Sequence, residues 1–323
     1  MKLPLHLSHN IGFIFDSADE LITALGEVQA EEDREIRRLF ELGLPPITSI
    51  NSLAVMFGYN PGFVVSMTKS QKAHYRLFEI PKGRDTRTIM APKVGLKGVQ
   101  KWLSIVFQSK FEPQGNVHGF VPGRSHLSAA ARHLGASWVF SIDIENFFPS
   151  VDIVRIKDAL SHLGYQTNGS LDLISQLCSM RGRLVQGSPC SPVLSNIVLR
   201  NLDSQLQQYA NENDCTYTRY ADDIVLSGEG DPPSALVPSL SRIIEADGWA
   251  ICGRKTRLDR LPNRLKVHGL LVHGDRVRLT KGYRNKIRAY RHLKARGAIS
   301  EDDIAVIFGH LNYAEQVERF ADN

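Results

Sequence analysis

Apolar residues recur at three- and four-residue intervals along the first part of the chain, which is the spacing of one helix face. Residues 16–42 carry this pattern until the Gly-Leu-Pro-Pro run at residues 43–46 ends it. Residues 49–68 carry it again. Because no clear recognition helix follows, they predict a packed helix pair rather than a helix-turn-helix. We therefore expect an N-terminal helical extension over residues 1–68.

The pattern changes to short strand-like runs from residue 75. Residues 75–90 predict two strands around a turn that holds Lys82, Arg84 and Arg87. Arginine can grip phosphate oxygens through two hydrogen bonds, so this hairpin suits a phosphate group; a plain exposed basic turn is the alternative. An amphipathic helix is predicted next, over residues 94–107.

A loop rich in glycine and proline, residues 118–125, leads into a helix predicted from about His126 to His133. Arg124 lies at the entry of that helix, where backbone N–H groups favour a bound phosphate. An N-cap by Ser125 without any ligand is the alternative.

Two predicted strand segments carry carboxylates at their ends. Residues 137–143 predict a strand that places Asp143 near its carboxyl end, and residues 217–227 predict a β-hairpin with Asp222 and Asp223 at its turn. Adjacent carboxylates repel each other, so the pair indicates a compensating cation, and hard oxygen ligands favour Mg²⁺. If Asp222 and Asp223 are considered without Asp143, the alternative is that they cap an ordinary solvated turn that binds no cation.

The three carboxylates lie together if the two strand segments pair. Three carboxylates that hold two Mg²⁺ ions, about 3.5–4 Å apart, form the site of in-line nucleotidyl transfer. One ion activates the attacking 3′-hydroxyl and the other neutralises the leaving pyrophosphate. Such a site works by positioning and charge and requires no covalent nucleophile.

Gln186 and Gly187 form a predicted tight turn before a helix that runs to about Tyr209. Backbone exposed at Gly187 allows close approach of a base or sugar. A bland Gly-Pro loop is the alternative, although two prolines at the helix start make this stretch less generic.

Charge and cysteine content narrow the class of protein. The 323 residues carry a net charge of +5, and residues 254–296 hold most of the excess, which suggests a polyanionic partner; a merely solvated basic face is the alternative. The four cysteines show no metal-ligand spacing and are typical of reduced thiols in a cytoplasmic protein. No signal peptide and no run of transmembrane length is seen, so we expect no membrane partner.

In this order and spacing, the motifs resemble reverse transcriptases, and specifically the bacterial retron class. The matching stretches are Ile80-Pro81-Lys82 with Arg87-Thr88-Ile89, Phe140 to Asp143 with Phe147 to Ser150, Gln186 to Pro192, Tyr220 to Asp223, Gly248-Trp249 with Gly253 to Thr256, and Lys266 to Leu270. The resemblance implies an α+β right-hand polymerase fold. Its parts would be the helical extension (1–68), fingers and an antiparallel-sheet palm (69–279), and a small basic helical thumb (280–323).

The resemblance also implies roles for individual residues. Asp143, Asp222 and Asp223 would hold two Mg²⁺ ions, with Ile144 counted in the metal-binding set, and Lys255 would protonate pyrophosphate. Lys82 and Arg87 would meet the triphosphate of a deoxynucleotide, and Gln186 and Gly187 would line the nucleotide and template pocket. Phe148 would be the steric gate that excludes a ribose 2′-hydroxyl, with Phe147 as the competing candidate.

The basic stretch near the end of the chain fits an RNA partner. A helix is predicted over residues 280–296, where Tyr283, Ile287 and Tyr290 form a packing face. Its basic residues would face an RNA stem, and the predicted RNA contacts are Arg284, Arg288 and Arg291, together with Arg124.

Retron resemblance implies an enzyme that copies part of a structured noncoding RNA into a short DNA that stays linked to it (msDNA). Priming would start from an internal 2′-hydroxyl, and a separate effector protein would act with the enzyme in anti-phage defence.

Two family hallmarks differ: Asn-Ala-x-x-His appears as Ala129 to His133, and Val-Thr-Gly as Val267-His268-Gly269. They leave open another defence-associated or group II intron-like reverse transcriptase without branched priming. A catalytically idle RNA-binding palm is the remaining alternative, although three clustered carboxylates argue against it.

Overall fold

The computed structural model describes residues 4–83 and 85–322, without the side chains of residues 5, 8, 82, 85, 321 and 322. The helices are α1 (Leu5–His9), α2 (Ala18–Leu25), α3 (Ala30–Glu41), α4 (Ile50–Phe57), α5 (Pro61–Lys69), α6 (Val94–Lys110), α7 (His126–Ala131), α8 (Phe147–Ser150), α9 (Ile153–Leu163), α10 (Asn168–Cys178), α11 (Ser191–Val198), α12 (Arg200–Glu212), α13 (Leu236–Ala246), α14 (Lys281–Ala295) and α15 (Ile304–Asp322). The strands are β1 (Tyr75–Lys82), β2 (Asp85–Pro92), β3 (Trp138–Asp143), β4 (Thr216–Tyr220), β5 (Asp223–Gly228), β6 (Arg257–Arg260), β7 (Lys266–Val267), β8 (Leu270–Leu271) and β9 (Arg278–Leu279).

The chain forms two compact units. The first unit comprises Met1–Pro113 and Asn146–Arg200, and the second comprises Gln114–Glu145 and Asn201–Asn323. Helices and strands are mixed, as an α+β fold requires. The predicted boundaries of a helical extension, fingers with palm, and thumb stay a prediction.

The first unit is mainly helical. The helical pattern of residues 16–42 forms two helices rather than one, because Gly26 ends α2 with a φ of 79°. The predicted helix pair of residues 49–68 is α4 and α5, and Ser49 caps α4 through a capping box with Ser52. The predicted basic hairpin is the antiparallel pair β1–β2, in which Ile80 lies opposite Arg87.

The second unit is built on a four-stranded antiparallel sheet with the strand order β4-β5-β3-β6. Its strands β3 and β5 are buried along nearly their whole length, which fits their apolar composition. Strands β7, β8 and β9 form a second, small antiparallel sheet.

One apolar cluster joins several elements of the second unit. It includes Val139 of β3, Val225 of β5, Ile287 of α14 and Leu311 of α15. Tyr283 and Tyr290 pack against this cluster, which confirms the predicted packing face of the basic helix. No helix in the described part of the chain is long and apolar enough to span a lipid bilayer.

Candidate active site

The sheet of the second unit places two of the three carboxylates opposite each other. Strands β3 and β5 pair antiparallel, with Asp143 in register with Asp223. Both aspartates lie where the buried part of their strand ends, so their carboxylates are half-buried. The strand pairing that the two-metal interpretation required is therefore present.

Backbone contacts place Asp222 next to Asp143 and Asp223. Ala221 and Asp222 form the two-residue link between β4 and β5, and Tyr220 pairs with Asp223 across it. The backbone N–H of Ile144 donates to the carbonyl oxygen of Asp222 over 3.1 Å. Asp223 is thus the first residue of β5 and lies just after the two-residue link. We call residues 220–223, the link with one strand residue on each side, the carboxylate turn.

The electrostatics of the turn favour a positive charge. The pKa of the Asp222 carboxyl is raised, mainly by its burial and then by the negative charge of Asp143, with Asp223 adding to both. Lys255 acts in the opposite direction on the same group. The cluster therefore holds more negative charge than its protein neighbours compensate.

Lys255 forms an ion pair with Asp143, in which its Nζ donates to Oδ2 of Asp143 over 2.6 Å. Partial burial opposes the charge on Lys255, but the hydrogen bond and the attraction of Asp143 and Asp222 outweigh it and raise the pKa of the ammonium group. Lys255 therefore stays protonated at neutral pH.

The donor chemistry of the turn fits a divalent cation, because carboxylate oxygens are the ligands that Mg²⁺ prefers. The described residues hold no group of three or more Asp, Glu, His or Cys side chains already converged on one metal position. Asp143, Asp222 and Asp223 remain the residues that would hold such an ion. The side chain of Ile144 is apolar and buried, so this residue can reach a metal only through its carbonyl oxygen.

The predicted nucleotide-binding residues lie in the first unit. Gly187 has a φ of 112°, and a Cβ there would lie 2.8 Å from the carbonyl oxygen of Met90, so a side chain is excluded at this exposed position. The N–H of Met90 donates to the carbonyl oxygen of Gln186 over 2.7 Å, which ties this turn to β2. Arg87 is half-buried on β2, whereas the side chain of Lys82 lies outside the described part of the chain.

The two phenylalanines of the first unit differ in burial. Phe147 is 6% exposed and belongs to the core, whereas Phe148 is half-buried. Their ring centroids are 5.2 Å apart. Of the two candidates for the steric gate, Phe148 is therefore the one with accessible surface.

The residues predicted to contact RNA differ in the protein groups with which they interact in the structure. Arg284 and Arg288 are exposed on α14, and Nη2 of Arg288 donates to Asn285 on the same helix. Arg291 forms an ion pair with Glu318 of α15 over 3.1 Å. Nη1 of Arg124 donates to the carbonyl oxygens of Gln114 and Val117, while Ser125 forms the N-cap of α7, so these contacts favour the structural alternative for Arg124.

Sequence reasoning missed two residues beside these carboxylates. The ring of His268 contacts Asp223, and the guanidinium of Arg219 is fully buried against Asp203. An arginine inside the strand-forming run Thr216–Tyr220 was the available signal, because a charged residue in a buried strand requires a partner.

Sequence comparisons place these features in a known family. A family model described as reverse transcriptase (RNA-dependent DNA polymerase) matches residues 80–259. The retron Mx65 reverse transcriptase of Myxococcus xanthus is 32% identical over 312 residues, which cover 88% of this chain and 73% of the relative. The retron Ec86 reverse transcriptase of Escherichia coli is 29% identical over 285 residues, which cover 87% of this chain and 88% of the relative.

Among solved structures, the chain is similar to telomerase from Candida albicans in complex with a fragment of telomeric RNA. That match covers 83% of this chain and 62% of the telomerase chain, with a TM-score of 0.46 and 11% identity. The sequence matches alone decide the family. This chain belongs to the retron reverse transcriptases and is an RNA-directed DNA polymerase.

Proposed function

We propose that this enzyme copies part of a structured noncoding RNA into a short DNA that stays linked to that RNA. The observation that carries the catalytic part is the register of the sheet, which sets Asp143 opposite Asp223 with Asp222 in the adjoining turn. Reverse transcriptases depend on divalent metal in general. For this chain we propose two Mg²⁺ ions held by Asp143, Asp222 and Asp223, with the carbonyl of Ile144 beside them.

Bound Mg²⁺ supplies Lewis acidity at the attacking 3′-hydroxyl and at the triphosphate. The three carboxylates fix the place of this chemistry on the ends of β3 and β5, which are rigid because they are buried. Lys255 holds its proton because its pKa is raised, and it lies against Asp143. We assign to it the protonation of the departing pyrophosphate.

The incoming deoxynucleotide is assigned to residues of the first unit. Lys82 and Arg87 of the β1–β2 hairpin would hold the triphosphate, because paired cations neutralise its charge. Gln186 and Gly187 would line the nucleotide and template pocket, and the bare backbone of Gly187 suits close approach. Phe148 would reject the ribose 2′-hydroxyl.

The RNA partner is inferred from charge and from the relatives. Arg284, Arg288 and Arg291 lie on one basic helix, which suits an RNA stem read through its backbone. Arg124 is the fourth predicted RNA contact. By analogy with retron systems we propose priming from an internal 2′-hydroxyl and a role in anti-phage defence beside a separate effector protein.

A second candidate is a defence-associated or group II intron-like reverse transcriptase without branched priming. The replaced hallmarks Ala129 and His268 leave this candidate open. In this case the carboxylates would hold the same metal ions for the same nucleotidyl transfer, and only the primer would differ.

Primer extension tests the catalytic proposal. Wild-type enzyme should extend a DNA primer on an RNA template with Mg²⁺ and deoxynucleotides, whereas Asp222→Asn and Asp223→Asn should each lower the rate by at least about a thousandfold. Asp214→Asn, an exposed aspartate of the same unit, is the matched control and should keep full activity. Activity in both turn variants would remove these residues from the site.

Nucleic acid extracted from cells tests the RNA-linked product. The gene is expressed with its flanking DNA, and small DNA is analysed with and without ribonuclease and a debranching enzyme. A DNA that shifts on ribonuclease treatment and is released by debranching supports the retron product. An active enzyme without such a DNA supports the second candidate.

A further inference from the structure

The residue before Asp222 has an unusual backbone. Ala221 has a φ of 58°, in the left-handed region that residues other than glycine rarely adopt. Such a conformation persists only where surrounding contacts fix it. Since Ala221 leads directly into Asp222 and Asp223, whatever fixes Ala221 also sets where the two carboxylates lie.

The side chain of Arg219 supplies one such contact. Its Nη1 donates to the carbonyl oxygen of Ala221 over 3.0 Å. Its Nε and Nη2 each donate to a different oxygen of Asp203 on α12, both over 2.6 Å. Tyr217 also donates its hydroxyl to Asp203 over 2.7 Å. Asp203 thus fixes the orientation of the guanidinium plane, and Nη1 is the nitrogen that contacts the carboxylate turn.

The backbone of Arg219 is held as well. Its N–H donates to the carbonyl oxygen of Asn116 over 2.9 Å, and its carbonyl oxygen accepts from the N–H of His118 over 2.8 Å. The loop that provides these partners is fastened in turn by Arg124, which donates to the carbonyl oxygen of Val117 over 2.6 Å. Both the main chain and the side chain of Arg219 are therefore fixed.

Gly119 contacts the same turn directly. A Cβ at this position would lie 2.2 Å from the backbone nitrogen of Ala221 and 2.9 Å from the carbonyl carbon of Tyr220. Both are backbone atoms, so an added methyl group could be accommodated only if the turn or the loop moved. Gly119 is therefore required by the closeness of the two backbones.

A gain in protein stability does not by itself explain the buried ion pair between Arg219 and Asp203. Arg219 is completely buried and Asp203 is 2% exposed. Burying two charges costs solvation energy, and apolar residues of similar volume often serve the stability of a protein as well or better. A planar guanidinium does what an apolar side chain cannot, because it donates to the Ala221 carbonyl while anchored on a carboxylate.

We propose that Arg219, anchored by Asp203, is a positioning residue that holds the Ala221 carbonyl and thereby places Asp222 and Asp223 for catalysis, with Gly119 packed against the same turn. The inference rests on the proposed function of those carboxylates. We therefore expect this network of Arg219, Asp203 and Tyr217 to affect kcat and not the affinity for substrates.

The decisive variant replaces the network by apolar residues: Tyr217→Phe, Asp203→Leu and Arg219→Met together. We expect a folded protein whose Tm stays within about 5 °C of wild type, because no charge or hydroxyl of the network remains buried without a partner. We expect kcat on a primed RNA template to fall by about 100-fold, the effect of a small misplacement of reacting groups. The KM for deoxynucleotides and the Kd for primed template should stay within about threefold of wild type.

One control separates positioning from packing. Leu206→Ala creates a cavity on α12, the helix that carries Asp203, and should lower Tm without lowering kcat at a temperature where it is folded.

A triple variant with normal Tm and wild-type kcat would overturn the proposal. If the triple variant does not fold, Gly119→Ala decides, since it keeps the ion pair between Arg219 and Asp203 and disturbs the close contact between the Gly119 loop and the turn: we expect a fall in kcat of about tenfold or more, and unchanged kcat refutes positioning. Failure of the proposed catalytic site would look different, because Asp222→Asn and Asp223→Asn would then remain active.

Discussion

Nδ1 of His268 lies 3.0 Å from Oδ2 of Asp223. His268 and Gly269 form the two-residue link between β7 and β8, and both have positive φ, 49° and 81°. Positive φ at both positions is typical of the type I′ turns that join hairpin strands. A β-branched residue, such as the threonine of the Val-Thr-Gly hallmark, would be strained in this conformation. The turn therefore suits the histidine, and the histidine contacts a proposed metal ligand.

His268→Asn should separate that contact from the turn. Asparagine tolerates the left-handed conformation, so the free energy of unfolding should change by less than about 1 kcal/mol. Loss of the ring removes a partner that orients Asp223, and such partners typically affect metal affinity by 10–100-fold, so we expect half-saturating Mg²⁺ to rise by about tenfold. Steady-state primer extension across a Mg²⁺ titration measures this, and an unchanged titration would show that the ring does not orient Asp223.

Phe148→Ala should admit ribonucleotides. Removing a ring that excludes the 2′-hydroxyl should lower the preference for deoxynucleotides over ribonucleotides by about 10- to 100-fold, with a smaller effect on deoxynucleotide incorporation. The ratio of kcat/KM for the two substrates on one RNA template gives the preference. Phe147→Ala is the matched control: this ring is 6% exposed, so the variant should lose about 3–5 kcal/mol of stability and keep its sugar preference. Unchanged preference in Phe148→Ala would mean that another residue is the gate.

The carboxylates were predictable because a local pattern encodes them. An apolar strand that ends in Asp143 and a hairpin interrupted by Asp222 are both visible in short windows of sequence, and antiparallel pairing then brings them together. The order of the motifs supplied the fold that the strand patterns alone did not determine. Helix breaks were less visible, as the division of residues 16–42 at Gly26 shows.

The contacts that shape the turn were not predictable in this way. Arg219 reaches Asp203 across 16 residues, and His268 reaches Asp223 across 45. Periodicity shows that a residue is buried, but it does not show which side chain from another element meets it. Arg124 illustrates the same limit, because a basic residue at a helix entry is compatible with a phosphate ligand and with the backbone carbonyls that it contacts.

Arg284→Gln and Arg288→Gln should each weaken RNA binding. Both residues are exposed on α14, and each lost phosphate contact should reduce the slope of log affinity against log salt by about 0.7–0.9. Arg291→Gln should have a smaller effect because Glu318 already pairs with this charge, and Glu318→Gln should strengthen binding. Titration of a labelled RNA stem-loop between 50 and 200 mM salt, about the range where such effects are large, measures all four variants. Equal slopes for wild type and the two exposed-arginine variants would exclude this helix face from the interface.

Acid should destabilise the second unit through His133, the histidine of the altered family hallmark. Its ring contacts Ser227 and Thr218, each over 2.7 Å, and burial lowers its pKa to about 3, with smaller contributions from the nearby charges of His268 and His118. The unfolded chain takes up this proton below the ordinary pKa of 6.5, whereas the folded protein does not until about pH 3. The stability that His133 contributes is therefore complete above pH 6.5 and declines as the pH falls toward 3. Between pH 7.5 and 5.5 the expected loss from this group is about 1.4 kcal/mol.

His133→Gln isolates that contribution. Glutamine does not take up a proton, so the variant should lose about 1.4 kcal/mol less than wild type between pH 7.5 and 5.5, although its stability at pH 7.5 is lower because the ring contacts are lost. His118, whose pKa burial lowers to about 4, acts in the same direction and leaves some pH dependence in the variant. Denaturant unfolding at the two pH values gives the difference, and His292→Gln, an exposed histidine on α14, should behave as wild type. Identical pH dependence in His133→Gln and wild type would mean that the buried ring is not the group that resists protonation.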